Sequence, residues 1–167
     1  MKKSILVCLS LVLMLLVASC GSATDSSTQV AAKAKIKTMT IGGPSMEPTL
    51  KNGTKVKVDV DAYASAVPQR GDIIAFKGDG DSVIIKRVVA LPDEELEIRD
   101  KKVFIDGTEL KEDYLYVPDS TEAPADNPLW QIPESHVFVM SDNRTNGRDS
   151  RHFGCIPYDK IMGKVQI

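Results

Sequence analysis

Ser82-Val83-Ile84-Ile85-Lys86-Arg87-Val88-Val89-Ala90-Leu91 is a β-branched, apolar run interrupted by two adjacent cations. Successive strand residues point to opposite faces. One face therefore carries Ile84, Lys86 and Val88, and the other Ile85, Arg87 and Val89. Each face is apolar around a single cation, so at least one cation is expected in an apolar setting. Such burial lowers the pKa of a lysine, by up to about 3–5 units when it is complete. Arginine stays charged and does not respond this way. Lys86 is thus the candidate for a neutral amine able to act as a base. The plain alternative is a strand-edge lysine whose head reaches out to water.

The neighbouring sequence has the same character. Lys37 to Ile41 is strand-like, and Lys55-Val56-Lys57-Val58-Asp59-Val60 alternates strictly, as a half-buried strand does. Asp72 to Phe76 is apolar and bounded by turn residues. Glu95 to Arg99 and Lys102 to Ile105 read as strands, with Asp106-Gly107 as the hairpin-type turn signal. His136 to Ser141 and Gly163 to Ile167 add two more. A short helix is suggested at Ala62 to Val67, and 117–135, with its four prolines around Trp130, reads as an irregular excursion. These runs predict a mostly-β domain of short strands with little helix.

The chain has 167 residues and a net charge of −2, with no basic block, which argues against nucleic acid as a partner. It begins with Lys2 and Lys3, followed by an apolar run from Ser4 to Ser19. At 1.5 Å per residue this run reaches about 24 Å, short of a roughly 30 Å hydrocarbon core, and reads as a secretory signal. Its end, Val17-Ala18-Ser19-Cys20-Gly21, resembles the lipobox of bacterial lipoproteins. That resemblance implies cleavage before Cys20 and lipid attachment there; the alternative is an uncleaved membrane anchor. Either places the following domain outside the cytoplasm at a membrane surface. Loss of residues 1–19 removes Lys2 and Lys3 and no acid, taking the net charge from −2 to −4. It also leaves Cys155 as the one cysteine besides Cys20, so no internal disulfide is expected. Residues 20–36, rich in Ser, Thr, Ala and Lys, form a flexible tether, and 37–167 form the folded domain. No metal or organic cofactor is implied.

A second stretch carries a candidate nucleophile. In Ile41-Gly42-Gly43-Pro44-Ser45-Met46-Glu47-Pro48-Thr49-Leu50, the glycines permit a tight turn and prolines stiffen the chain on both sides of Ser45. Taken alone this could be an ordinary turn with a capping serine. A desolvated amine, however, can activate a serine hydroxyl without any histidine. His136 and His152 are then expected to be surface or packing residues.

Four segments in order resemble bacterial type I signal peptidases, in the short Gram-positive-like form. They are Pro44-Ser45-Met46-Glu47-Pro48-Thr49, Arg70-Gly71-Asp72-Ile73-Ile74-Ala75-Phe76, Lys86-Arg87-Val88-Val89-Ala90-Leu91-Pro92, and Asp142-Asn143-Arg144 with Asp149-Ser150-Arg151-His152-Phe153-Gly154. The resemblance covers roughly 38–167 and implies a signal-peptidase/LexA-like fold of short, strongly bent antiparallel strands. It implies a serine endopeptidase with Ser45 as nucleophile and Lys86 as general base. Gly43, Pro44 and Met46 would shape the nucleophile loop, and the Ser45 N–H would help hold an oxyanion. Some relatives add a hydroxyl at the position of Gly43; here backbone donors or water would serve. Asp142, Arg144, Asp149 and Arg151 would form an alternating salt-linked brace beside the dyad. Relatives usually carry Gly where Ser141 stands and, where Gly147 stands, a Ser whose hydroxyl orients the lysine. Ser141 or Ser150 is expected to supply that missing hydroxyl.

The implied partners are exported preproteins with small residues at the first and third positions before the cut, and a membrane lipid surface. The substrate would lie extended along Ile41–Gly43 or the Ser82–Ile85 run. Met46 and Leu50 could form an apolar docking rim, with buried packing as the default. Two rivals are a LexA-like self-cleaving regulator and an inactive homologue acting as a binding lipoprotein. The export signal and the absence of a DNA-binding domain oppose the first. Intact Ser45 and Lys86 oppose the second.

Overall fold

The computed structural model describes residues 35–167. The readings of a signal segment and of a lipid site at Cys20 lie outside the described residues. Among the described residues, no helix is long and apolar enough to cross a membrane.

The strands are β1 (Ile36–Thr40), β2 (Lys55–Asp59), β3 (Ile73–Lys77), β4 (Val83–Ala90), β5 (Glu95–Arg99), β6 (Lys102–Ile105), β7 (Thr108–Glu109), β8 (Leu129–Gln131), β9 (His136–Met140), β10 (Ile156–Pro157) and β11 (Ile161–Gln166). Seven of them form one antiparallel sheet in the order β1-β2-β11-β3-β4-β9-β10, and four form a second in the order β7-β6-β5-β8.

Alternation within β3 explains how the larger sheet is covered on both sides. Ile73 and Ala75 point into one core with Met46, Leu50, Val58 and Val165. Ile74 and Phe76 point into another with Val88, Val137 and Val139. A strand buried on both faces reads as a continuous apolar run. A third core joins the sheets: Val89, Ala90, Phe138 and Met140 meet Leu96, Ile98 and Val103 of the second sheet. The run Ser82–Leu91 thus contributes to all three cores and carries its cations among them.

Three local expectations are corrected. Asp106-Gly107 does form a hairpin turn, but it joins β6 to β7. The β5–β6 turn is made by Asp100 and Lys101, both at positive φ (49° and 64°). That pair of left-handed residues matches the right-handed twist of a two-residue hairpin. Ala62–Val67 forms turns and bends, not a helix. The Tyr63 hydroxyl holds it by donating to Asp72 Oδ2 at 2.9 Å. The helix found is α1, Ser150–Phe153, followed by a single 3-10 turn at Tyr158–Lys160. Within 117–135, β8 adds an edge strand to β5, and Trp130 packs against Phe138 with the rings tilted by 55° and their centroids 5.0 Å apart.

Gly163 marks a break in register where β11 runs between β2 and β3. A Cβ built there would overlap the Asp59 carbonyl oxygen and lie 2.8 Å from its carbon. Backbone cannot yield as a flexible side-chain tip can. Gly163→Ala is expected to cost about 1–3 kcal/mol, as overpacking generally does. Thermal unfolding checks this: a wild-type midpoint would mean that the strands separate there without penalty.

Candidate active site

Ser45 sits on a turn built by its own neighbours. Gly43 takes φ +89°, a conformation that disfavours a side chain, and its N–H donates to Asn52 Oδ1 at 2.8 Å. The Leu50 N–H donates to Met46 O at 2.7 Å. Met46 and Leu50 are 1% and 5% exposed, so they anchor the loop in the core and offer no docking rim. From the far side, the Asn143 N–H donates to Ser45 O at 3.0 Å, and its side-chain amide donates to Pro44 O at 3.4 Å. The loop is held at both ends, with the Ser45 side chain between. The Ser45 N–H makes no hydrogen bond among the described residues.

Lys86 comes from the middle of β4 and is 5% exposed. Its Nζ donates to Ser45 Oγ at 2.7 Å. Burial pulls its pKa below the ordinary lysine value, partly opposed by the charges of Asp149 and Asp142. Both carboxylates are already matched by guanidinium groups, which limits their hold on the amine. Arg87, its neighbour on the opposite face, is buried as well. Both cations are desolvated, and they meet the cost in different ways: one by losing its charge readily, the other by pairing.

The brace expected within 142–151 is only half formed. Asp149 pairs with Arg151, with Nε donating to Oδ1 at 2.8 Å and Nη2 to Oδ2 at 2.9 Å. Burial alone would raise the Asp149 pKa; Arg151, with the N–H groups of Ser141 and Arg151, holds it below the ordinary carboxylate value. Asp142 does not meet Arg144 or Arg151. Arg87 takes it in a two-pronged bond, Nε to Oδ1 at 2.8 Å and Nη2 to Oδ2 at 2.7 Å, and the Thr49 hydroxyl donates to Oδ2 at 2.5 Å. Arg144 pairs instead with Glu112, and its Nη1 donates to Thr121 Oγ1 at 2.5 Å. The Tyr114 hydroxyl donates to the same Glu112 at 2.6 Å, while its ring lies 4.1 Å beneath the Arg87 guanidinium. Thr49, Glu112, Tyr114, Thr121 and Asn143 thus join the site without having been singled out from sequence, and Arg87, read there only as a cation in an apolar setting, joins as the partner of Asp142. Thr49, Arg87 and Asn143 stood inside the recognisable segments; Glu112, Tyr114 and Thr121 carry no local signal.

Of the two hydroxyls expected to orient the lysine, Ser150 Oγ accepts the Val139 N–H at 3.0 Å and so ties α1 to β9. Ser141 is fully buried and donates its N–H to Asp149 Oδ2 at 3.0 Å, while its Oγ has no partner. Neither histidine approaches the dyad by hydrogen bond. His152 closes the capping box of α1 by accepting the Asp149 N–H, and His136 Nδ1 contacts Glu134 O.

A groove of about 180 Å³ leads to the pair, lined by Thr40, Ile41 and Gly42 on one side and Val83, Ile84 and Ile85 on the other. β3 pairs with β4 from Val83 onward, whereas β9 pairs with β4 only from Arg87 onward. The Val83–Ile85 edge facing away from β3 is therefore open beside the groove. A hydroxyl, a desolvated amine, a free N–H and an unpaired strand edge converge there, an arrangement suited to acyl transfer from an extended peptide.

The chain matches the family described as "Signal peptidase, peptidase S26" over residues 6–167. It is 37% identical over 132 residues to a protein of Synechocystis sp. named "Probable signal peptidase I-1", an alignment covering 74% of this chain and 65% of that one, just under two thirds of its length. It is 32% identical over 142 residues to "Signal peptidase IB" of Staphylococcus aureus, covering 77% and 74%. The crystal structure of a signal peptidase I from Enterococcus faecalis V583 superposes with a TM-score of 0.50 at 33% identity, covering 60% of this chain and 97% of that one.

Proposed function

The chain belongs to the signal peptidase family, peptidase S26, and from that premise we propose that it is a serine endopeptidase that cleaves signal peptides from exported preproteins. The observation that carries the reading is the 2.7 Å contact between Lys86 Nζ and Ser45 Oγ. A neutral amine at that separation takes the Ser45 proton as Oγ attacks the scissile carbonyl carbon. The carbonyl oxygen becomes an oxyanion beside the Ser45 N–H. The protonated amine then returns its proton to the departing amide nitrogen, leaving an acyl-enzyme. Water, deprotonated by the same amine, releases the signal peptide. An extended substrate pairs with Val83–Ile85, and the narrow groove favours small side chains at the first and third positions before the cut. Asp142 with Arg87, Asp149 with Arg151, and Arg144 with Glu112 hold the wall behind the dyad, and Gly43, Pro44 and Met46 set the nucleophile loop.

The N-terminal segment holds the enzyme at the extracytoplasmic face of the membrane, through lipid on Cys20 or a short uncleaved helix. No nucleic acid and no cofactor enter this reading. The test is incubation of the full chain, in detergent, with a preprotein carrying Ala-x-Ala before its junction, and intact-mass analysis of the products. A single cut after the second Ala is expected, together with covalent labelling of Ser45 by a serine-directed probe. No cut and no label would overturn the proposal.

A further inference from the structure

Gly147 separates the nucleophile from a second recess. A Cβ built at this glycine would lie 2.9 Å from Ser45 Cβ, so its backbone packs directly against the serine. Beyond it opens a cavity of about 480 Å³, with Glu122, Ala123 and Pro124 on one wall and Thr145, Gly147 and His152 on the other. It shares no lining residue with the groove of about 180 Å³ between Thr40–Gly42 and Val83–Ile85. Ser45 thus stands between two separate recesses.

The walls of the larger one are fastened to each other. Arg151 donates from Nη1 to Glu122 O at 3.3 Å and from Nη2 to Arg144 O at 2.9 Å. Asp149 fixes the same guanidinium, and the Arg151 side chain is only 5% exposed. Such charge-assisted bonds to a held guanidinium keep the cavity open as a shaped space. The side chains of Glu122 and Thr145 stand exposed at its mouth.

A substrate whose residues before the cut lie along Val83–Ile85 runs past Ser45 and continues on the far side. That continuation is the departing amide nitrogen and the first residues of the mature protein. We propose that the cavity beyond Gly147 receives those residues, and that it admits bulky apolar side chains after the cut, in contrast to the small ones favoured before it. Ala123 and Pro124 supply the apolar surface, and the space is more than twice that of the first groove. The inference rests on the peptidase reading above.

The test uses the full chain in detergent and two peptides identical up to the cut, one ending a single residue beyond it and one ending five residues beyond it with Phe second. Wild type is expected to cut the longer peptide with a kcat/KM about 10-fold higher, because contacts remote from the bond contribute to the transition state. Glu122→Trp and Thr145→Trp, which fill the cavity from either wall, should erase that preference. The Glu122 side chain makes no bond to the dyad, so agreement of the two variants excludes an effect through the Thr145 bond to Asn143. In Ser45→Ala, the longer peptide with a benzophenone in place of the Phe ring should photolabel 122–124 or 144–152. Equal rates for the two lengths in wild type, variants that slow both peptides alike, or labelling elsewhere overturns the proposal. Cleavage of the shorter peptide keeps the peptidase reading standing in each of those cases. Should wild type cut neither peptide, that reading falls and the assignment of the cavity falls with it.

Discussion

Lys86→Met is expected to lower kcat/KM by about 10⁴- to 10⁶-fold, the range seen when one member of a nucleophile–base unit is removed, while making the domain more stable at neutral pH. Methionine fills nearly the same volume and cannot accept the Ser45 proton. The change gives up one hydrogen bond, worth about 1 kcal/mol net. It also removes an amine whose pKa burial depresses, and each unit of depression is worth about 1.4 kcal/mol. The lysine has its folded value below the ordinary 10.5. Between those two values the unfolded chain binds more protons than the folded one, so wild-type stability rises with pH across that window. The gain from Lys86→Met is therefore full below the folded pKa and vanishes as pH approaches 10.5. Activity of the wild type rises through the same depressed pKa as the amine loses its proton. Thermal unfolding at several pH values, beside cleavage assays, checks both halves. A variant that melts lower than wild type at pH 7 would mean that Lys86 stabilises the fold, contrary to a base held desolvated for catalysis. Ser45→Ala/Lys86→Met should be no slower than either single change, because the two act as one unit.

Arg87→Met is expected to destabilise the domain by about 3–5 kcal/mol, the usual result of removing one partner from a buried ion pair. Asp142 has no exposed surface, and after the change its carboxylate would keep only the Thr49 hydroxyl as a side-chain hydrogen-bond partner. Domains of this kind have about 5–15 kcal/mol in total, so the variant stands near unfolding at growth temperature. Denaturant titration measures it. Arg87→Met/Asp142→Leu should recover most of the loss, because it removes the stranded charge along with its partner. A double variant as unstable as Arg87→Met would assign the effect to the Tyr114 stack or to the Gly71 carbonyl that Arg87 Nη1 also reaches. Catalysis should suffer too. Asn143, next in the chain to Asp142, donates to Ser45 O and so ties the ion pair to the nucleophile loop.

The relation between the two cations illustrates how much a sequence discloses. Adjacent residues in a strand must face opposite ways, and both faces of Ser82–Leu91 are apolar. Burial of at least one cation was thus legible, and so was the division of labour between a titratable amine and a permanent guanidinium. The partner of Arg87 was not. Asp142 lies 55 residues away, and the local spacing of acids and arginines in 142–151 pointed to a brace within that segment. The Arg144 bond to Glu112 spans 32 residues, and Glu112 sits in a stretch without periodicity. The failed hairpin assignment has a similar cause: Asp106-Gly107 has the stronger turn composition, but Asp100 and Lys101 turn first because cross-strand pairing of β5 with β6 compels them.

From its sequence alone this chain was determined to be mostly β, with a stiffened serine loop and at least one desolvated cation, because alternation, turn residues and apolar runs act over a few neighbouring residues. The tertiary structure alone decided which carboxylate meets which guanidinium, that Ser150 Oγ accepts the Val139 N–H, and that the buried Ser141 lies beside Gly147. Those outcomes depend on strand register and on the approach of segments distant in the chain, where a charge or a hydroxyl takes whichever partner packing brings within reach.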